Sequence, residues 1–589
     1  MKKTLLFSVA LAGLMLGSCS SSDDLNGGGN NTGSNQSGDG YVAFNINLPT
    51  QSGSSSRAGG SENDQFKDGL ASEYDVKNAT LLLFDGSDES TATFVRGYAL
   101  NTSPWTQKGP DANVTKTSAT IVQKVDAPST NYLALVVLNH NNVFSLDTDG
   151  KITVDGTDLT GLTLSKFMEK TNATTGKSLT ESGFYMANAP LANKGGGSTA
   201  PTGATINTLV SLDGKIKATE AEASATPADI YVERGVAKVT MATPTVSEVT
   251  GSYTDAAHST KVPFEVTSWA LDNTNKSTYL VRSTDGFSSW LGLATKETVA
   301  NPYRFVGSAA VATGLYRTYF AKDPNFDTAG NTGATFNKAA DTDYSTKFGD
   351  DNPKYCFENT FDVANQNDNK TTRVLIKAKL NSGKTFYVLN GNQNTIFKEE
   401  DIIKEIKSQF LTEYAQWIKD NVATPTSVGE SNVNVTISTA VGKDAGKVTI
   451  TNIELTGVTL KTGSTPLVAS DVVNNVTARL GTIDKYNNGE SYYFVRIKHF
   501  GDDLTPWANG KLGVGTQVYP APDAEANWLG RYGVLRNNWY DIAVEGVKGL
   551  GSAEVPDVTP TTDDELESYI AVRINVLSWA KRTQNATLH

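Results

Sequence analysis

Short apolar runs closed by turn-forming pairs recur along most of this chain of 589 residues. In the first run, at 41–48, apolar and polar residues alternate with the period of a half-buried β-strand, and the others are apolar runs bounded by Gly, Asn and Asp. Turn pairs such as Asp85-Gly86, Asp149-Gly150 and Asp213-Gly214 favour antiparallel connections. The predicted strands cover residues 41–48, 79–84, 132–138, 230–240, 264–271, 373–380, 447–455, 492–498, 539–547 and 569–579. The chain is therefore predicted to be mainly β.

One stretch, residues 398–422, departs from this period. Its apolar and aromatic residues recur at a spacing of three to four, and Glu and Lys lie between them. The recurring residues are Ile402, Ile406, Phe410, Tyr414, Trp417 and Ile418. This spacing predicts one amphipathic helix. The polar face mixes both signs of charge, which favours packing on a sheet over binding to a membrane or a partner helix.

The length of the chain exceeds what one hydrophobic core usually organises, so two domains are expected. A stretch at 241–262 is rich in Thr, Ser, Pro and Gly and is the predicted boundary. We therefore expect an N-terminal domain at 58–245 and a C-terminal domain at 246–589.

The reactive residues are too few and too scattered to predict an active site. The formal net charge of −12 argues against nucleic-acid binding. Four histidines without ligand spacing predict no metal site. Cys356 has no histidine nearby to activate it, and Gly176-Lys177-Ser178 lacks the earlier glycine of a phosphate loop because Thr171 stands there. We expect no catalytic residue, no metal and no cofactor, hence no enzyme.

The N-terminus predicts export. Met1-Lys2-Lys3 precedes a mostly apolar segment at 5–16, which is too short to span a bilayer but suits a signal peptide. Leu16-Gly17-Ser18-Cys19 then has the form of a bacterial lipobox. Residues 1–18 are the predicted signal peptide and Cys19 the predicted lipidation site, which places the precursor on the outer membrane through its lipid.

A clean strand pattern follows the lipobox in an unusual place. Val42, Phe44, Ile46 and Leu48 alternate with polar or small residues, and Pro49 ends the run. Polar, glycine-rich stretches at 20–40 and 51–63 flank it, and such stretches cannot bury a core. A structural strand between two linkers can be removed together with its tether.

Five sequence features together resemble the Bacteroidetes fimbrillin family. They are the lipobox at Cys19, YVERGVAKV at 231–239, YYFVRIKH at 492–499, GVLRNNWY at 533–540 and the closing INVLSW at 574–579. Within the family, the chain is most similar to the minor-fimbrium (short-fimbria) shaft subunit of the Porphyromonas kind. The resemblance implies two transthyretin-like antiparallel β-sandwich domains and polymerisation with identical or related subunits into a type V pilus at the cell surface.

The resemblance also implies maturation by an Arg-specific protease. Arg57 stands in Ser54-Ser55-Ser56-Arg57-Ala58-Gly59-Gly60, where small flexible neighbours would let a protease engage its side chain. Cleavage between Arg57 and Ala58 would release residues 19–57, and with them the lipid and the strand at 41–48. We expect the N-terminal domain to lack an edge strand afterwards and to accept another one.

The predicted replacement is the last strand of the chain. Ile570, Val572, Ile574 and Val576 fall on one face, which gives four apolar positions, as in the strand that leaves. The opposite face carries Arg573, Asn575 and Trp579, for which the sequence names no partner. The alternative is that 569–579 is simply the final strand of its own domain.

Two other functions remain open on the sequence. The chain is alternatively an accessory fimbrial subunit, either a tip protein or an anchor that keeps its lipid, with adhesion to a host or bacterial surface receptor. It is alternatively a surface glycan-binding lipoprotein. Aromatic side chains can stack on sugars, and the scattered tryptophans are Trp105, Trp269, Trp290, Trp507 and Trp539.

Overall fold

The computed structural model describes most of the chain beyond its N-terminal segment. The described residues are 40–48, 69–102, 118–171, 179–195, 203–250, 253–255, 258–286, 306–312, 314–318, 320–326, 335–361, 365, 367–497, 499, 532–558 and 570–578. None of the helices in these ranges is long and apolar enough to cross a membrane.

Strands dominate the described residues, which confirms the prediction of a mainly β fold. Those of the first half are β1 (Gly40–Asn47), β2 (Ala79–Asp85), β3 (Thr93–Leu100), β4 (Ser118–Val125), β5 (Tyr132–Leu138), β6 (Ser145–Leu146), β7 (Ile152–Val154), β8 (Thr157–Asp158), β9 (Met186–Asn188), β10 (Leu191–Ala192), β11 (Ile206–Asn207), β12 (Val210–Ser211), β13 (Ala228–Arg234), β14 (Ala237–Met241), β15 (Tyr253–Asp255), β16 (His258–Thr260), β17 (Phe264–Asp272) and β18 (Thr274–Asn275).

The remaining strands follow the same numbering. They are β19 (Val306–Ala312), β20 (Leu315–Thr318), β21 (Phe336–Asn337), β22 (Lys354–Cys356), β23 (Arg373–Leu380), β24 (Phe386–Leu389), β25 (Thr395–Ile396), β26 (Val433–Thr439), β27 (Lys447–Leu455), β28 (Ile483–Tyr486), β29 (Glu490–Arg496), β30 (Asn538–Val547) and β31 (Ile570–Ser578). Short 3-10 turns connect several of these strands.

Five α-helices lie in the described ranges: α1 (Leu164–Thr171), α2 (Glu220–Ala225), α3 (Glu399–Glu413), α4 (Ala415–Asn421) and α5 (Ala469–Leu480). Together α3 and α4 span the helix predicted at 398–422, but the chain leaves helical geometry at Tyr414 between them. The expectation of a single helix in the C-terminal region was wrong, because α5 was missed. Its buried residues, Val472, Val476 and Leu480, recur at a spacing of four, so the helical pattern is present in the sequence and was overlooked.

The first large sheet has the order β3-β2-β5-β9-β13-β1-β4, with β12 added beside β5. It encloses a hydrophobic cluster built mainly from residues between Val42 and Val236. Phe84, Phe94 and Phe167 of α1 meet edge to face in that cluster, with ring centroids 5.4–5.9 Å apart. Apolar side chains from the strands and from α1 therefore share one core.

The strand predicted at 230–240 is two strands in two different sheets. β13 ends at Arg234 and β14 begins at Ala237, so the chain changes sheets at Gly235-Val236. A Cβ atom at Gly235 would lie 2.7 Å from Cδ1 of Tyr185, closer than real contacts allow. Only glycine fits this close approach, and the prediction of one continuous strand was wrong.

Two further sheets face each other across a second cluster. One has the order β22-β14-β30-β31 and the other β17-β23-β29. Val239 and Ile542 of the first sheet share the cluster with Trp269, Ile376 and Val495 of the second. Two sheets packed on a common core form a β-sandwich.

A third cluster lies within the connection between β23 and β29. These two strands are antiparallel neighbours, so the chain from 381 to 489 is an insertion at their joining end. It contains the sheet β24-β28-β27-β26, with α3 and α5 on one face, and its cluster holds Phe410, Val476 and Ile450. The domain boundary expected at 245/246 stays a prediction.

Candidate functional site: the buried strand β1 and the terminal strand β31

Strand β1 lies between two other strands of the first sheet. It pairs antiparallel with β4 over its whole length, from Gly40 opposite Val125 to Asn47 opposite Ser118. On its other side it pairs parallel with β13, from Phe44 opposite Ala228 onward. The expectation of an edge strand was wrong, because β4 lies outside β1 in the sheet order.

The inner face of β1 is fully buried. Val42, Phe44 and Ile46 are 0% exposed and Leu48 is 1% exposed, and all four belong to the first hydrophobic cluster. Each buried side chain of this kind contributes roughly 1.5–3 kcal/mol, so the four together contribute about 6–12 kcal/mol before ordering costs. The strand is an integral part of this core.

The outer face of β1 is partly covered by α2, which packs against it. Ala43 points away from the core yet is 0% exposed. At the start of the strand, a Cβ atom on Gly40 would lie 2.6 Å from Cγ2 of Ile216. Because protein interiors are close-packed, these two positions tolerate only small residues.

Polar contacts complete the outer face. The Asn45 amide donates to Asp229 Oδ1 at 3.0 Å, and its carbonyl oxygen accepts from Thr120 Oγ1 at 2.8 Å. The backbone of Tyr41 exchanges two hydrogen bonds with that of Lys217, at 2.7 and 2.8 Å. Asp229 lies on β13 and Thr120 on β4, so Asn45 links β1 to both neighbours.

Two of the family-like motifs meet where β13 passes into β14. The backbone N–H of Asn537 donates to the Val236 carbonyl at 2.8 Å, and β14 pairs parallel with β30 from Lys238 opposite Trp539. The Lys238 ammonium lies 3.9 Å from the centroid of a Trp539 ring. The motifs at 231–239 and 533–540 therefore form one junction, which connects the sheet of β1 to the sheet of β31.

A buried ion pair anchors the segment Gly69–Tyr74 at this junction. Glu73 is 0% exposed, and its Oε1 lies 2.8 Å from Lys238 Nζ and accepts from the Tyr355 hydroxyl at 2.6 Å. Burial lowers the pKa of Lys238, and Glu73 opposes that shift. The Arg234 guanidinium also donates to the Glu73 carbonyl at 3.0 Å. The chain that follows Ala58 in sequence is thus fixed at residues 69–74.

Strand β31 is the outer strand of its sheet among the described residues, and it pairs antiparallel with β30. The predicted donor residues Ile570, Val572, Ile574 and Val576 are opposite Val547, Val544, Ile542 and Tyr540, which are buried. In this chain the segment is therefore a strand of its own sheet, the alternative left open by the sequence. Its role as a donor stays a prediction.

The predicted processing site lies outside the described residues. This holds for Cys19, Arg57 and Ala58, and for the tryptophans Trp105, Trp290 and Trp507. The other two tryptophans, Trp269 and Trp539, are buried and donate to Lys347 O and Thr240 Oγ1. They are core residues, unavailable for stacking on a sugar.

Within the described ranges, no group of three or more His, Cys, Asp and Glu side chains is arranged to hold a metal ion. Cys356 is buried, and burial raises the pKa of its thiol to about 12. A thiol with this pKa is protonated at neutral pH and is a poor nucleophile.

Sequence reasoning missed three residues of this region: Ala43, Asp229 and Glu73. Ala43 carried a signal, since it is the one aliphatic residue on the outward side of an otherwise polar alternation. Asp229 and Glu73 carried none, because their partners, Asn45 and Lys238, are far away in sequence.

Comparison with known proteins gives one match to a family model. Residues 484–585 match the model described as "Major fimbrial subunit protein type IV, Fimbrillin, C-terminal". Three of the five family-like features lie in this range, at 492–499, 533–540 and 574–579. No curated protein matches the chain.

Among solved structures, a fimbrial assembly protein from Parabacteroides distasonis ATCC 8503 is similar to part of the chain. The two share 11% identity over 57% of this chain and 81% of the other, with a TM-score of 0.23. That score is too low to support an argument about fold or function. The family match thus shows that residues 484–585 of this chain are similar to the C-terminal region of fimbrillins.

Proposed function

We propose that this protein is a structural subunit of a surface fimbrium that polymerises by strand exchange. It is exported as a lipoprotein with its lipid on Cys19, and an Arg-specific protease cleaves it between Arg57 and Ala58. Loss of β1 then opens a slot that the terminal strand β31 of another subunit fills. The match of residues 484–585 supports the fimbrial role.

The placement of β1 is the observation that carries this proposal. It is the first described strand of the chain, it contributes four buried side chains to the core, and it has a neighbour on each side. Its removal would leave unpaired backbone groups on both β4 and β13 above an open row of apolar pockets. Such a gap binds an extended strand through main-chain hydrogen bonds and alternate side chains.

The ion pair between Glu73 and Lys238 supports the same proposal. Cleavage after Arg57 would separate the segment at 19–57 from a chain that stays anchored from Gly69 onward. The segment at 69–74 and β13, which ends at Arg234, would therefore keep their attachment to the junction. We assign the chain to the shaft of the fimbrium, as in minor-fimbrium subunits of the Porphyromonas kind, with adhesion to a surface receptor as the role of the assembled fibre.

Treatment of the purified precursor with an Arg-specific protease tests the proposal. The expected result is a protein that begins at Ala58 and forms ladders stable to mild SDS. The Arg57→Ala precursor should stay monomeric, and so should a processed chain that lacks residues 570–589. Processed protein that begins at Ala58, has lost residues 40–48 and still remains monomeric would contradict strand exchange.

A further inference from the structure

The first and last described strands of the chain are similar in sequence when both are read from the N-terminus to the C-terminus. Residues 41–48 read YVAFNINL and residues 569–576 read YIAVRINV. Four positions are identical: Tyr41 and Tyr569, Ala43 and Ala571, Ile46 and Ile574, Asn47 and Asn575. The three other inward positions of the first segment, Val42, Phe44 and Leu48, are aliphatic in the second.

We propose that β31 of one subunit replaces β1 of the next residue for residue, parallel to β13, with Arg573 paired to Asp229 of the receiving subunit. This inference rests on the strand exchange proposed above and adds its direction, its register and a residue that determines specificity. Ile570, Val572, Ile574 and Val576 then fill the places of Val42, Phe44, Ile46 and Leu48.

The buried position of Ala43 selects this register. In the proposed register, Ala571 takes its place. A shift of two residues brings Arg573 or Tyr569 to that position instead. If the strand enters in the opposite direction and its four apolar residues fill the same pockets, Asn575 comes to that position. Ala43 is 0% exposed beneath α2, so a larger or charged residue there costs packing or desolvation free energy.

The outer face distinguishes the incoming strand from the leaving one. Asn45 of β1 donates to Asp229 at 3.0 Å and is neutral. In the proposed register Arg573 occupies this place, so the same carboxylate gains a guanidinium partner from the neighbouring subunit. Asn575 occupies the place of Asn47, whose amide donates to the Ile230 carbonyl at 3.4 Å, and preserves that donor. The slot thus has one ionic contact for the neighbour's strand that it lacks for its own.

Two single-cysteine chains test direction and register. Asn575→Cys and Tyr231→Cys are made in separate chains, because Asn47 is opposite Tyr231 on β13. Directly opposite positions on neighbouring strands are within disulfide distance. The chains are mixed, processed with the Arg-specific protease, oxidised and analysed on non-reducing gels. The native Cys356 is buried and should therefore not compete for the introduced cysteines.

The expected result is a disulfide-linked dimer from this pair on fully denaturing, non-reducing gels, because each chain carries one introduced cysteine and only the joint between residues 575 and 231 can be crosslinked. The control pair is Asn575→Cys with Val122→Cys, since Val122 is opposite Ala43 and would meet residue 575 only in a reversed strand. If SDS-stable ladders form but the first cysteine pair gives no disulfide, or if the control pair gives one, the proposed register is wrong. Strand exchange itself would then still stand. Absence of ladders from the wild-type chain overturns the strand exchange itself.

Charge reversal tests the Arg573–Asp229 pair, with the rate of ladder growth as the readout. Exposed ion pairs are weak, so Asp229→Lys and Arg573→Asp should each slow growth by about fivefold. The chain with both changes should regain the wild-type rate. Asp213→Lys makes the same charge change at another exposed position and should have no effect. Failure of the double change to restore the rate overturns the proposed contact.

Discussion

Strands β1 and β31 occupy opposite kinds of position in their sheets. β1 pairs with β4 on one side and with β13 on the other, whereas β31 pairs with β30 alone among the described strands. A strand with two neighbours leaves only if two ladders break, while a strand with one neighbour leaves by breaking one. For the proposed exchange, this difference explains why proteolysis is needed to free β1, while β31 can be released by a local opening.

Amide hydrogen exchange should show the largest difference between the two strands. Exchange from β1 requires opening of the sheet and its core, so its amides should be protected by about 5 kcal/mol or more. Alternate amides of β31 point away from β30 and should exchange close to the rate of an unstructured chain. Mass spectrometry of peptides covering 40–48 and 570–578 of the precursor measures this. Equal protection of the two peptides would show that β31 does not open more easily than β1.

Truncation of the central residue of β1 should give the next largest effect. Phe44→Ala removes a buried aromatic side chain and should lower the free energy of unfolding of the precursor by about 3–5 kcal/mol. Denaturant unfolding measures this value. Asn45→Ala, on the outer face of the same strand, should cost about 1 kcal/mol or less.

The difference between the Phe44→Ala chain and wild type should disappear after cleavage at Arg57, because residue 44 is then gone. A difference that persists in processed protein would show that β1 stays bound after cleavage.

The alternation of Val42, Phe44, Ile46 and Leu48 was enough to predict a strand with a buried face, because that pattern is local. The pattern does not say which strands lie beside it, so the inner position of β1 and its parallel pairing with β13 were not predictable. The same holds for Gly235, where only the contact with Tyr185 shows why one strand becomes two.

The insertion between β23 and β29 was also beyond local reasoning. Its sequence predicted part of it, the helix at 398–422 and the strand at 447–455, but nothing local indicates that residues 380 and 490 come together. The ion pair between Glu73 and Lys238 joins residues far apart in the chain. Contacts of this kind depend on the completed fold.

The smallest expected effect on stability concerns Ala43, the position that Ala571 of β31 takes in the proposed register and that depends on side-chain volume. Ala43→Leu adds three carbon atoms beneath α2 and should lower the free energy of unfolding of the precursor by about 1–3 kcal/mol. Ala221→Leu, on the exposed side of α2, makes the same change without crowding and should alter stability by about 0.5 kcal/mol or less. Thermal or denaturant unfolding of both variants measures the difference. If Ala43→Leu is as harmless as Ala221→Leu, this position has room for larger residues, and Ala571 cannot be the residue that sets the register of an incoming strand.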